Sequence, residues 1–380
     1  MNYQSKRDYL ALLRTRYQLC ITRKEKGLII DEALVNLGCA RKSIIRALHT
    51  IPRERSSHVR GRKEAYGYDL IAPLKKLWEV SGYPCSQRLK PQIPELIAVL
   101  TKFHELTLYP GQQEKLIKMS SFTIDKLLSF ERLHHANHGL SGTKKSPLLK
   151  TLIPVRTEFN DVHEAGHIEM DCILHCGNSL SGTFAETLNL LDIHTHWNEK
   201  MIFLKKTHEK VIGAFHMLRK QFPFSVESID FDNGYEFVNW AMHAYCKREG
   251  ISFTRSRSYH KNDQAHIEGK NFQSVRRVIG YGRIETTEVV ALVNDIYQNE
   301  HRLLTNFFYP TFKLKAKTRI GGKTKKSYEM PLTPYQRVLA SEVFPGRVKD
   351  QLRAQYQTLN PAQLQRSLQN KLAKLQDLIG

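Results

Sequence analysis

The chain has 380 residues, of which 41% are hydrophobic and 9% aromatic, enough for several domains and at least one sizeable core. No apolar run reaches the roughly 18–20 residues that span a bilayer, and the charged start MNYQSKRDYL does not read as a secretory leader. Six scattered cysteines form no disulfide framework and read as reduced thiols in a cytoplasm, while a net charge of +21 calls for a polyanionic partner.

That charge is uneven. Residues 1–65 carry 15 basic and 6 acidic side chains and residues 311–349 carry 10 and 2, whereas residues 166–301 carry 15 and 17. Two basic flanks around a near-neutral centre fit a grip on nucleic acid. A membrane surface fits less well, since no amphipathic anchor accompanies the charge.

In chain order, residues 5–50 read as helices. GLIIDEALVNLGCARKSIIRALH predicts one apolar-periodic helix over 28–37, a turn at Gly38-Cys39-Ala40, and a second helix carrying Arg41, Lys42 and Arg46. This is the outline of a helix-turn-helix, whose basic second helix would enter the major groove, although a plain helical hairpin has the same pattern. Residues 52–65 read as a basic linker. A second helical region occupies 66–135, one helix starting behind the prolines of PQIPELIAVL and another behind the serine cap of MSSFTIDKLL. HGLSGTKKSPLLK, 138–150, reads as a linker.

Beyond it the periodicity changes to two. In GHIEMDCILHC, Ile168, Met170, Cys172 and Leu174 share one face of a strand, and His167, Glu169, Asp171 and His175 the other. Strands are then predicted in GTFAETLNLLDI and WNEKMIFLKK, a helix over 207–220, a strand over 226–231, a helix over 236–249, a strand in ISFTRS and a helix over 264–279. The expected fold is a mixed sheet flanked by helices, with helical units before it and a small basic region after it. The domains expected are 1–65, 66–150, 151–305 and 306–380.

Three acids stand out. Asp171 lies mid-strand, Asp232 ends the 226–231 strand before Asn233-Gly234, and Glu268 shares a helix face with Asn271. If the first and fourth strands are neighbours and that helix lies over them, the three carboxylates converge. Ionised acids held together need a cation between them. Carboxylate oxygens suit Mg²⁺ or Mn²⁺, and two such ions about 3.5–4 Å apart can activate one phosphodiester oxygen and stabilise another.

These residues resemble the integrase-core DDE transposases of bacterial insertion sequences, relatives of retroviral integrases. The strand aspartate in GHIEMDC, DNGYEF, 35 intervening residues and Glu268-Gly-Lys-Asn271 match that family's pattern. The resemblance covers 166–301 specifically and the flanks more loosely. It implies a ribonuclease-H-like catalytic core, with Asp171, Asp232 and Glu268 as catalytic residues and ligands of two Mg²⁺ (or Mn²⁺) ions. Asn233, Asn271 and Glu169 would support the site, and Lys261 and Lys270 would contact phosphates. It further implies cleavage at transposon ends and 3′-hydroxyl strand transfer into target DNA, by a homodimer or larger assembly on terminal inverted-repeat and target DNA, with no membrane partner. Two rivals remain: a nuclease of the same fold that cuts without joining, and a non-enzymatic repressor descended from a transposase.

Other signals are set aside. Asp192 ends the second strand and competes with Asp171, which the family pattern favours; Asp230 reads as a supporting or solvated acid. CILHC, 172–176, lacks a second ligand pair for zinc, and HHANH, 134–138, lacks a cysteine. GGKT, 321–324, resembles a phosphate loop, but Lys317 replaces the loop's first glycine and no strand is expected before it.

Overall fold

The computed structural model describes residues 3–50, 66–132, 164–205, 207–231, 240–255, 267, 270–320 and 323–379. Asp232, Asn233, Lys261, Glu268, the HHANH stretch and both expected linkers lie outside these residues. The chain divides into two compact units, Met1–Glu64 and Ala65–Gly380.

In the first unit, α1 (Tyr3–Leu19), α2 (Arg23–Leu37) and α3 (Arg41–His49) close on Leu13, Ile29, Ile30, Ala33, Leu37, Ile44 and Leu48. Helix α2 starts five residues before the apolar pattern does, because Thr22 caps it. The Thr22 hydroxyl accepts from the Glu25 N–H at 3.3 Å while the Glu25 carboxylate accepts from the Thr22 N–H at 3.1 Å. It ends at Gly38, whose φ of 62° lets its N–H reach back to the Leu34 carbonyl. Burial of Ile44 and Leu48 turns Arg41, Lys42 and Arg46 of α3 outward.

In the second unit, β1 (His167–His175), β2 (Ala185–Asp192), β3 (Asn198–Leu204), β4 (Ser228–Phe231) and β5 (Ser252–Arg255) form a sheet of order β3-β2-β1-β4-β5. The β1–β2 and β2–β3 pairs are antiparallel; β1–β4 and β4–β5 are parallel. Helix His208–Leu218 connects β3 to β4, and helix Trp240–Arg248 connects β4 to β5. This is the ribonuclease-H-like arrangement expected from the sequence. Every residue of β2 is buried, as fits a sheet with both faces covered. The same holds around β1, where Glu169 and His175 on the polar face are fully buried.

Residues 66–132 share the hydrophobic core of the sheet. Their longest helix, Ser86–Lys102, contains Pro91 and Pro94 instead of starting after them. The stripe Leu89, Ile93, Leu96, Ile97 and Leu100 is buried at helical spacing, and that packing outweighs two lost backbone hydrogen bonds. C-terminal helices dock on this region: Tyr356 donates to Glu95 at 2.6 Å, and Arg366 grips Glu105 with two hydrogen bonds of 2.6 and 2.8 Å. A basic hairpin, β6 (Leu314–Ile320) and β7 (Lys323–Tyr328), exposes Lys315, Arg319, Lys325 and Lys326. A strand therefore does precede GGKT, contrary to expectation. The next element is a second strand, whereas a phosphate loop leads into a helix. Among the described residues no helix is long and apolar enough to cross a membrane.

Candidate active site

Asp171 is half-buried in the middle of β1. Its Oδ1 accepts from the N–H of Cys172 at 2.8 Å, and its Oδ2 accepts from Asn271 Nδ2 at 2.5 Å. Two positions earlier on the strand, the buried Glu169 accepts from the Ile267 N–H at 2.8 Å. Ile267 and Asn271 flank Glu268 in sequence, and each is bonded to an acid of β1. On the other side of β1, the parallel register pairs Met170 with Phe231, the chain neighbours of Asp171 and Asp232.

Behind Asp171 runs a line of amides that the sequence does not announce. Asn271 Oδ1 accepts from Asn189 Nδ2 at 2.7 Å, Asn189 Oδ1 from Asn198 Nδ2 at 2.6 Å, and Asn198 Oδ1 from Lys200 Nζ at 2.7 Å. A carboxylate only accepts, so the Asp171 end fixes the orientation of every amide in the line, and Lys200 completes it as a donor. Asn189 is the antiparallel partner of Asp171, and Asn189, Asn198 and Lys200 are buried. The only sequence signal is a set of polar residues inside apolar strands, at Asn189 in TLNLL and Lys200 in NEKMIF. Burial and the positive charge of Lys270 push the Lys200 pKa down to about 7, against the attraction of Glu199. Directly after Asn271 the helix widens to a π turn over Phe272–Arg276, a local distortion frequent at functional sites.

The other acids have structural work. Asp192 is fully buried, accepting from the Gly166 N–H at 2.8 Å and from both the N–H and hydroxyl of Thr195 at 2.7 Å. Burial raises its pKa to about 6 despite those donors. Asp230 is buried and accepts from the Thr254 hydroxyl at 3.0 Å. Around CILHC, His175 pairs with the Thr187 hydroxyl at 2.8 Å, and burial lowers its pKa to about 3. All six cysteines are free. Among the described residues no three His, Cys, Asp or Glu side chains gather as metal ligands.

Of the candidate phosphate contacts, Arg41, Lys42 and Arg46 are exposed, with Arg41 in an exposed ion pair to Asp31 at 2.5 Å. Lys270 is buried, and burial with the charges of Arg88 and Arg337 pushes its pKa down to about 7.

No family model matches the chain. Two solved structures are similar to part of the chain, at a TM-score of 0.29 each. The catalytic core domain of BIV integrase is 18% identical, over 47% of this chain and 97% of its own. The HTLV-2 integrase catalytic core domain, solved in complex with magnesium, is 15% identical, over 46% of this chain and 94% of its own. The fold rests on strand order and register, not on these overlaps. A much nearer relative is the uncharacterized protein y4rM of Sinorhizobium fredii, 38% identical over 317 residues. With 83% of this chain and 90% of that protein aligned, the chain belongs to the family of y4rM.

Proposed function

We propose that the protein is a DDE-type transposase, which cleaves DNA at transposon ends and transfers the freed 3′-hydroxyl to target DNA. The observation that carries this reading is the seating of two chain segments against one stretch of β1. Ile267 and Asn271, on either side of Glu268, bond to Glu169 and Asp171, and Phe231, next to Asp232, pairs with Met170. On this reading Asp171, Asp232 and Glu268 form one oxygen-donor set, the ligand chemistry of Mg²⁺ or Mn²⁺. Bound there, two such ions would activate the attacking oxygen and stabilise the leaving one.

The remaining work belongs to the chain. Asn271 orients the Asp171 carboxylate, and the amide line to Lys200 keeps Asn271 from turning over. Glu169 ties the helix start to β1. Arg41, Lys42 and Arg46 on α3 contact terminal-repeat DNA, and the exposed lysines of the β6–β7 hairpin add phosphate contacts, Lys261 among the further candidates. Both ends must be held together, so the working form is a dimer or larger assembly on DNA.

Titration of the full chain with Mn²⁺, followed by calorimetry, tests the donor set. The wild type should bind, and Asp171→Asn, Asp232→Asn and Glu268→Gln should each weaken binding at least about tenfold, the consequence of losing one charged ligand. Equal binding by all four proteins would reject the shared site.

A further inference from the structure

The helix that presents Asn271 to Asp171 also places Lys270 in a cavity of about 320 Å³. Its walls are residues 81–85 ahead of the Ser86–Lys102 helix, Arg88 in that helix, residues 270–278, residues 301–311 and the terminal helix Pro361–Ile379. Arg88, Lys270, Arg277 and His301 line it, and among the described residues no aspartate or glutamate does.

The described partners of these groups are all uncharged: Arg88 donates to Gln273 Oε1 at 3.3 Å and lies over the Phe312 ring, Arg277 donates to the Gly82 carbonyl at 3.5 Å, and His301 Nε2 pairs with the Thr305 hydroxyl at 3.4 Å. Lys270 is only 8% exposed, and among the described residues its ammonium makes no hydrogen bond or ion pair. His301 is 1% exposed and its Nδ1 has no partner; nor has the buried Nε of Arg88. Arg277 is exposed and spreads over the Tyr83 ring at 5.3 Å. Apolar surface completes the lining, from Tyr309, Val278, Leu368 and Leu372. The Tyr309 ring approaches so closely that a Cβ on Gly82, at φ +78°, would lie 2.8 Å from it.

An unpaired buried cation is costly, and the Lys270 ammonium also shares its cavity with the guanidinium groups of Arg88 and Arg277, which repel it, while His301 is neutral. Water can hydrate one ammonium but cannot offset that repulsion. An oxyanion does both, and phosphate is the anion that guanidinium forks and a lysine recognise together. The volume lies at the small end of ligand sites, enough for a phosphate ester with a modest apolar body. We infer that this cavity is a phosphate-binding site, separate from the carboxylates of β1, whose occupant is a phosphate group on an apolar or aromatic body. The phosphate comes either from the backbone of bound DNA or from a free phosphate ester.

Calorimetry and thermal melting of the full chain with inorganic phosphate, with AMP and with duplex DNA test this. Phosphate and AMP should bind saturably and raise the melting temperature. Arg277→Gln, at the exposed end of the cavity, should weaken both about tenfold, and Lys270→Met should do so by at least that factor. A third variant guards against misfolding: Gln365→Glu places a carboxylate in the cavity wall, and should raise the melting temperature of the unliganded protein while abolishing phosphate binding. If duplex DNA competes with phosphate, a backbone phosphate is the occupant; if AMP binds alongside the duplex, a free ester is. No binding at millimolar phosphate, equal binding by the wild type and both cation variants, or a Gln365→Glu protein that melts lower and binds phosphate unchanged would overturn the assignment.

Discussion

At the residue scale, Asp171 is distinguished from its rivals by what its oxygens meet. Asp192 is saturated by backbone and hydroxyl donors that hold the β2–β3 turn, and Asp230 is enclosed under Thr254. Asp171 instead meets an amide whose own orientation is fixed from behind. Asn271→Ala should therefore lower strand-transfer yield about tenfold or more, the loss of one charge-assisted hydrogen bond, and raise the Mg²⁺ concentration needed. Full activity at unchanged Mg²⁺ would show that Asn271 does not position the carboxylate. His175 carries a separate prediction. Unfolded, it takes up a proton below its ordinary pKa of 6.5, but folded only near 3. Its neutral form thus stabilises the fold fully above about pH 6.5, and that contribution is lost as pH falls toward 3. His175→Gln should flatten the acid side of the stability profile by about 1.4 kcal/mol per pH unit, measured by denaturant titration from pH 6.5 to 4.5. An unaltered slope would place the acid sensitivity elsewhere.

At the scale of elements, β1 is where sequence and structure agree most and also diverge. Period-two alternation in GHIEMDCILHC locates the strand and puts Glu169, Asp171 and His175 on one side. It does not tell that this polar side is packed, because alternation reports direction and not what covers the face. Sequence alone cuts the Ser86–Lys102 helix short because proline is a strong local breaker, and only the long-range packing of its apolar stripe reveals the continuation. The amide line is illegible for a related reason: Asn189, Asn198 and Asn271 come together through strand pairing and a helix crossing, which no local spacing encodes. Gly166 shows how tightly β1 is started. Its N–H bonds to Asp192, its carbonyl accepts from Glu227 and Ser228, its φ is +98°, and a Cβ there would lie 2.6 Å from the Ser225 carbonyl oxygen. Gly166→Ala should destabilise the protein by about 3 kcal/mol or more, read from thermal or urea unfolding. A change under about 1 kcal/mol would mean that the β1 and β4 starts yield easily.

At the scale of the whole molecule, charge and fold divide the labour. The excess positive charge gathers on the three-helix unit and the β6–β7 hairpin, while the sheet region is near neutral and keeps its acids. If α3 grips DNA, replacing Arg41, Lys42 and Arg46 by alanine should weaken duplex binding and reduce the salt slope of log K by roughly 2–3, the release of about three counterions. An unchanged slope would exclude α3 from the interface. On the proposed function, three carboxylates run a joining reaction. Its direct test is incubation of the full chain with a labelled duplex of the element's terminal repeat and a plasmid, in Mg²⁺ or EDTA, beside Glu268→Gln. Labelled DNA should be joined to the plasmid in Mg²⁺ alone, and none by the variant although it still binds the duplex. Cleavage without joining would make the protein a nuclease, and joining by the Glu268→Gln protein at the wild-type rate would exclude Glu268 from the reaction and with it the three-carboxylate site.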